Sequence, residues 1–117
     1  MIFHIADPKQ YNAAVDSGAA EYRPASFERE GFIHCSEASQ VASTLHRHFA
    51  MADNLLLLAI DDEAEREYLR HEDLYKRGQL FPHLYHALPL SSVRGTHALE
   101  RRGGVFVIPF EWMRSFD

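Results

Sequence analysis

The sequence predicts an α+β fold, and three observations carry that prediction. Ile2 to Ile5, Gly31 to Ser36 and Leu80 to Tyr85 are short segments that place polar and apolar side chains on opposite faces of a strand. Leu55-Leu56-Leu57-Leu58-Ala59-Ile60 is apolar at every position, as a strand covered on both faces would be. Between these segments lie a few short stretches with helical spacing and capping residues at their ends.

In order, Ile2 to Ile5 reads as a first strand, with Ile2 and His4 on one face and Phe3 and Ile5 on the other. Asp7-Pro8 starts a helix as N-cap and first helical residue, Tyr11, Ala14 and Val15 continue it, and Ser17-Gly18 ends it. Glu21 to Ala25 is extended because Pro24 disfavours a helical Arg23. Ser26 is placed to cap one turn through Glu30, and Gly31 permits the tight turn that follows. In the next extended stretch Phe32, His34 and Ser36 share one side, while Ile33 and Cys35 share the other.

Ser36 is also placed to cap a second helix carrying Val41, Leu45, His48 and Phe49. Asp61 to Glu67 is acidic and reads as a solvated turn or short helix, Glu67 to Asp73 as a further strand, and Arg77-Gly78 as a turn. Pro82 argues for an edge position or a strand start in Leu80 to Tyr85, where His83 and Tyr85 point the same way. One helical turn after Pro89 leads to strands Val93 to Leu99 and Val105 to Ile108, joined through Arg102-Gly103-Gly104. Phe110, Trp112 and Met113 close the chain on a short packed helix.

A chain of 117 residues, 46% hydrophobic and 25% charged, suits one ordinary domain with a single core. The start shows no signal peptide and no apolar run is long enough to span a bilayer, so a cytoplasmic protein with no membrane partner is expected. The net charge of -5 argues against a broad nucleic-acid footprint, and Lys76-Arg77 and Arg101-Arg102 read as solvated loop charges. The one cysteine, Cys35, rules out an internal disulfide and a multi-cysteine zinc site. No Gly-rich phosphate loop and no Gly-x-Ser-x-Gly turn occurs.

Eight histidines are many for this length; His46, His48 and His97 lie in polar contexts, and His4, His34, His83 and His86 in apolar ones. Were the strands bearing His4, His34 and His83 to converge, they would present three imidazoles, the Ser36 hydroxyl, the Tyr85 phenol and a carboxylate from Glu30 or Glu72. That set suits ribose hydroxyls, a phosphate, or acid–base work near neutral pH. Three histidines are also a catalytic zinc set, but no His-x-His or His-x-x-x-His pair links these three. Cys35 would face away from His34 on a strand, which fits a small buried residue better than a nucleophile. A purely structural network of the same polar groups is the competing reading.

The chain resembles a bacterial family of small proteins, the domain-of-unknown-function-952 family. The resemblance rests on Phe3-His4, Tyr22, Pro24, Ser26, Glu30 to Ser36, Gln40-Val41, Leu57 to Asp61, Glu72, Phe81 to Tyr85 and Leu88-Pro89-Leu90. It implies a fold similar to that of ADP-ribosyltransferases, with two small antiparallel sheets around an NAD-binding cleft and a few flanking helices. His34-x-Ser36 also resembles an element of RNA 2'-phosphotransferases. The resemblance implies an NAD- or ADP-ribose-like small-molecule ligand. His34, His83 and Tyr85 become candidate catalytic residues, and His4, Ser36, Ser26, Glu30 and Glu72 ligand-binding ones. The transferase glutamate would fall near Phe81 to His83, where this chain has no acid, so ordinary protein ADP-ribosylation is not expected.

Overall fold

The all-apolar strand lies at the centre of the structure, a computed structural model that describes residues 1–117. This strand, β4 (Leu55–Ile60), pairs antiparallel on one side with β1 (Ile2–Ala6) and on the other with β8 (Val93–Arg102). β9 (Val105–Val107) continues the sheet beyond β8 through the Gly103-Gly104 hairpin, giving the order β1-β4-β8-β9. β1 and β4 are covered on both faces, as the absence of polar alternation in β4 requires.

Each face of the β1–β4 pair has its own core. Ile2, Ala6, Leu58 and Ile60 pack against Tyr11 of α1 (Pro8–Asp16), Tyr22 of β2 (Glu21–Tyr22), Ile33 and Leu84. Phe3, Ile5, Leu55, Leu57 and Ala59 pack against Val41 and Leu45 of α3 (Val41–His48) and Met113 of α4 (Phe110–Arg114). Each fully buried Leu or Ile contributes about 1.5–3 kcal/mol relative to an exposed position. α4 and the residues after it reach β8 at Gly95, where an added Cβ would lie 2.9 Å from the tip of the Phe116 ring and would displace that ring.

The remaining strands form a three-stranded sheet and a ribbon, rather than the single second sheet expected. β3 (Ile33–His34), β6 (Phe81–Leu84) and β5 (Leu69–Glu72) lie in the order β3-β6-β5, and β2 pairs with β7 (Leu88–Pro89). The two larger sheets meet at one bridge, where Phe3 N donates to Ser36 O (2.8 Å) and Ser36 N to Phe3 O (2.7 Å). Pro82 sits in the central strand β6, not at an edge. Its carbonyl accepts from Cys35 N (3.0 Å), so its missing N–H also faces β3, whose two-residue ladder stops short of it. The one bond Pro82 cannot make is the reciprocal donation to the Cys35 carbonyl, and the β3–β6 ladder ends there.

Several expected details differ. Ser36 does not cap α3: a 3-10 turn, Ala38–Gln40, intervenes, and Glu37 and Gln40 form its capping box. Ser26 precedes α2 (Phe27–Glu30) but makes no capping bond, while Gly31 ends that turn in the left-handed region at φ 79°. Val15 is exposed on α1 and Phe110 on α4. Asp61 to Glu67 is not wholly solvated, because Glu65 is buried. No helix is long and apolar enough to cross a membrane.

Candidate functional site

His4, His34 and His83 line one cleft of about 540 Å³, in the size range of small-ligand sites. The local sequence explains how. On β1 the alternation that buries Phe3 and Ile5 against α3 turns His4 to the other face, toward β3. On the three-stranded sheet, Ile33, Cys35 and Leu84 enter the core, so His34 and His83, paired across the ladder, take the opposite face. Their rings stand edge to face, 5.4 Å apart, and Phe32 stacks on His83 at 4.3 Å.

His4 is 6% exposed, and its Nδ1 lies 2.6 Å from the His34 carbonyl oxygen. A carbonyl only accepts, so Nδ1 carries the proton. Burial pushes the His4 pKa down to about 4, with the nearby His34 adding to that effect and the carbonyl opposing it. The ring is therefore neutral at pH 7, and Nε2 presents a bare lone pair. That atom is buried and has no partner. The Tyr22 hydroxyl is likewise buried and unpartnered, with its ring 5.8 Å from His4. Burial, then the Asp7 carboxylate, push the Tyr22 phenol above its ordinary value, so it stays protonated. Both residues line the cleft. Both atoms are closed off from water as the cleft stands, so a ligand hydroxyl that donates to His4 Nε2 or accepts from Tyr22 needs a local opening of the cleft wall.

Two imidazole–carboxylate pairs stand nearby. His34 Nε2 meets Glu30 Oε2 at 2.6 Å, joining β3 to α2. His83 Nδ1 meets Glu72 Oε1 at 3.0 Å, and the Tyr85 hydroxyl donates to the same oxygen. The Tyr85 and His83 bonds hold the Glu72 carboxyl below its usual range, so Glu72 accepts and His83 Nδ1 donates. Burial lowers the His83 pKa, against the opposing pull of Glu72. Its Nε2 has no protein partner and is not among the sealed polar atoms, which leaves a neutral acceptor facing the cleft. A carboxylate-oriented neutral imidazole is the arrangement of a general base.

The sequence-predicted residues divide accordingly. His4, Ser26, Glu30, His34, Ser36 and His83 line the cleft. The Ser36 hydroxyl, free of capping, sits 3.3 Å from Thr44 Oγ1. Glu72 and Tyr85 do not line it; they stand behind His83, which Glu72 orients. Cys35 is buried and burial raises its thiol pKa, so no thiolate nucleophile forms. No group of three or more His, Cys, Asp or Glu is disposed to hold a metal. His86 lies elsewhere, bonded to Glu65.

Tyr22, Thr44, Arg47, His48 and Arg77 also line the cleft and were not read as site residues. The signal for the helical ones was present: Val41 and Leu45 face the core one turn apart, so Thr44 and His48 form the adjacent stripe. Nothing local marks Tyr22, an aromatic residue in a two-residue strand.

The family model described as "Protein of unknown function (DUF952)" matches residues 5–96. The chain belongs to that family. The crystal structure of protein CC0527 from Caulobacter crescentus is 30% identical in sequence, with a TM-score of 0.83 and 97% of each chain covered. The solution NMR structure of CC0527 is 29% identical, with a TM-score of 0.77, covering 99% of this chain and 97% of that one. No curated protein matches the chain. The DUF952 match contains every cleft residue discussed except His4, which immediately precedes it.

Proposed function

We propose that the cleft binds and processes a nucleotide-like small molecule of the NAD or ADP-ribose type. One observation carries the reading: His4 Nε2 and the Tyr22 hydroxyl are both buried beside an open cleft with no partner in the protein. An unmatched buried polar atom costs about 1–3 kcal/mol, a penalty a ligand hydroxyl would relieve. His83 Nε2, oriented from behind by Glu72, would accept a proton from the ligand or from water, and His34 with Glu30 would hold a second polar group. This reading includes the likeness to ADP-ribosyltransferases in cleft and strand arrangement, and a cytoplasmic setting with a small-molecule partner.

The test is isothermal titration with NAD, ADP-ribose and cyclic or 2'-phosphorylated nucleotides. Heat with at least one of them, abolished in His4→Phe with the fold intact, is the expected result. Silence with all of them would end the proposal.

A second reading, a binding module without catalysis, is favoured by the His83 surroundings. His83 is 2% exposed, stacked on Phe32 and bonded to Glu72, as a residue pinning strands together would be. Turnover of any bound ligand that disappears in His34→Ala and His83→Ala, with folding retained, eliminates that reading.

A further inference from the structure

The cleft lining carries charge of both signs. Asp7, near enough to Tyr22 to raise its phenol pKa, and Gln10 come from the start of α1. Arg47 and His48 of α3 and Arg77 from the turn before β6 also line it, as do Ser43 and Thr44.

Neither the Arg47 nor the Arg77 guanidinium meets a carboxylate; Arg70 and Arg101 also lack one, but they stack on the Tyr85 and Phe106 rings and Arg101 bonds backbone carbonyls. Acids are not scarce: the chain has 17 Asp and Glu against 12 Lys and Arg. Arg47, His48 and Arg77 line the same cleft. The His48 pKa is lowered by burial first, then by Arg77 and by Arg47, in keeping with that shared placement. The Arg77 turn is anchored, since Asp73 accepts from the backbone N–H of Arg77 (2.9 Å) and of Gly78 (2.8 Å). Two guanidiniums lining one cleft, neither in an ion pair, suit an oxyanion bound through planar forks.

The geometry points to a phosphate seat at Arg47 and Arg77, which makes the ligand a phosphate ester whose free hydroxyl reaches His4 and Tyr22. The hydroxyl half rests on the functional reading above, whereas the phosphate half stands on the arginines alone. Asp7, close to Tyr22, repels an anion there, which favours the two arginines as the phosphate's place.

Two titrations test this separately. Inorganic pyrophosphate, followed by NMR, should shift the resonances of Arg47, His48 and Arg77, and added salt should weaken it. ADP-ribose should bind at least roughly tenfold more tightly than adenosine, and each of Arg47→Gln and Arg77→Gln should cost ADP-ribose roughly tenfold while leaving adenosine unchanged. Arg114→Gln, an equal loss of charge on exposed α4, should change nothing. Pyrophosphate that shifts none of these residues, with ADP-ribose and adenosine binding equally, overturns the phosphate seat and leaves the functional reading intact. A pyrophosphate response with no binding of ADP-ribose or adenosine keeps the seat and overturns the hydroxyl half; the functional reading ends only when NAD and the cyclic or 2'-phosphorylated nucleotides are silent as well. No response to any of the three overturns both halves of the inference.

Discussion

Two buried histidine clusters in this molecule look alike by composition and differ in how their polar atoms are matched. In the first, Glu65 is 4% exposed; one carboxylate oxygen meets His86 Nε2 and the other accepts from the Ser92 hydroxyl, while Tyr68 stacks on His86 at 3.9 Å. That network ties the Asp61 to Tyr68 excursion to the segment between β6 and β8, and neither carboxylate oxygen is left without a partner. In the second, His4 and Tyr22 are also buried, yet each keeps one atom unmatched beside a cleft. Composition cannot distinguish the two, since both hold a histidine, a hydroxyl and a nearby acid. Under the proposed function the unmatched atoms are where a ligand would bind, whereas the matched Glu65 network ties two segments together.

The largest expected effect tests that network. Glu65→Ala would strand the buried Ser92 hydroxyl and remove the anion opposite His86, at a cost of about 4 kcal/mol, softened because His86 is partly exposed. Chemical denaturation should show this loss with an unchanged m-value, and ligand binding at the cleft should survive in the folded fraction. A change under 1 kcal/mol would mean that Glu65 is solvated and that the contrast between the clusters is false.

The next effect, about 3 kcal/mol, is a pH dependence belonging to the site. His4 titrates near 4 when folded and near 6.5 when unfolded, so between those values the unfolded chain binds more protons. Stability is therefore complete above about pH 6.5 and falls as pH drops toward 4. His83, also lowered, contributes with the same sign. His4→Phe should flatten this part of the stability-versus-pH curve, at the constant cost of leaving the His34 carbonyl unpaired. An unaltered slope would show that His4 is not a neutral buried imidazole, and the lone-pair argument at Nε2 would go with it.

The sequence disclosed one of these clusters and hid the other for a physical reason. His4, His34 and His83 each sit on a strand whose alternate residues are apolar, so the period of two assigns the imidazoles to one face without knowledge of strand pairing. Glu65 lies in an irregular acidic stretch, where no period says which carboxylate turns inward; only the contact with His86, 21 residues away, decides it. Arg77 was hidden similarly, because an exposed turn gives no direction for its side chain. Ser36 suits a cap by residue type, but Glu37, one residue on, takes that position because it has Gln40 at the capping-box spacing. Pro82 misled through a rule about sheet interiors that fails where the neighbouring ladder is only two residues long.

The smallest effect is the most discriminating, because its sign is opposite to that of an ordinary core mutation. Tyr22 is 1% exposed, and its ring packs on Tyr11 at 5.4 Å and on His4 at 5.8 Å. Tyr22→Phe keeps that ring and deletes only the hydroxyl. Removing a buried hydroxyl that has no partner relieves a desolvation penalty, so the variant should be more stable by about 1 kcal/mol. The same deletion should weaken binding of a ligand whose hydroxyl sits between Tyr22 and His4. In the Glu65 cluster the analogous deletion, Ser92→Ala, removes a donor that the carboxylate uses and should destabilise. Thermal melts of the two variants should thus move in opposite directions. If both fell, Tyr22 would be matched like Ser92, and the hydroxyl seat at the floor of the cleft would lose its physical basis.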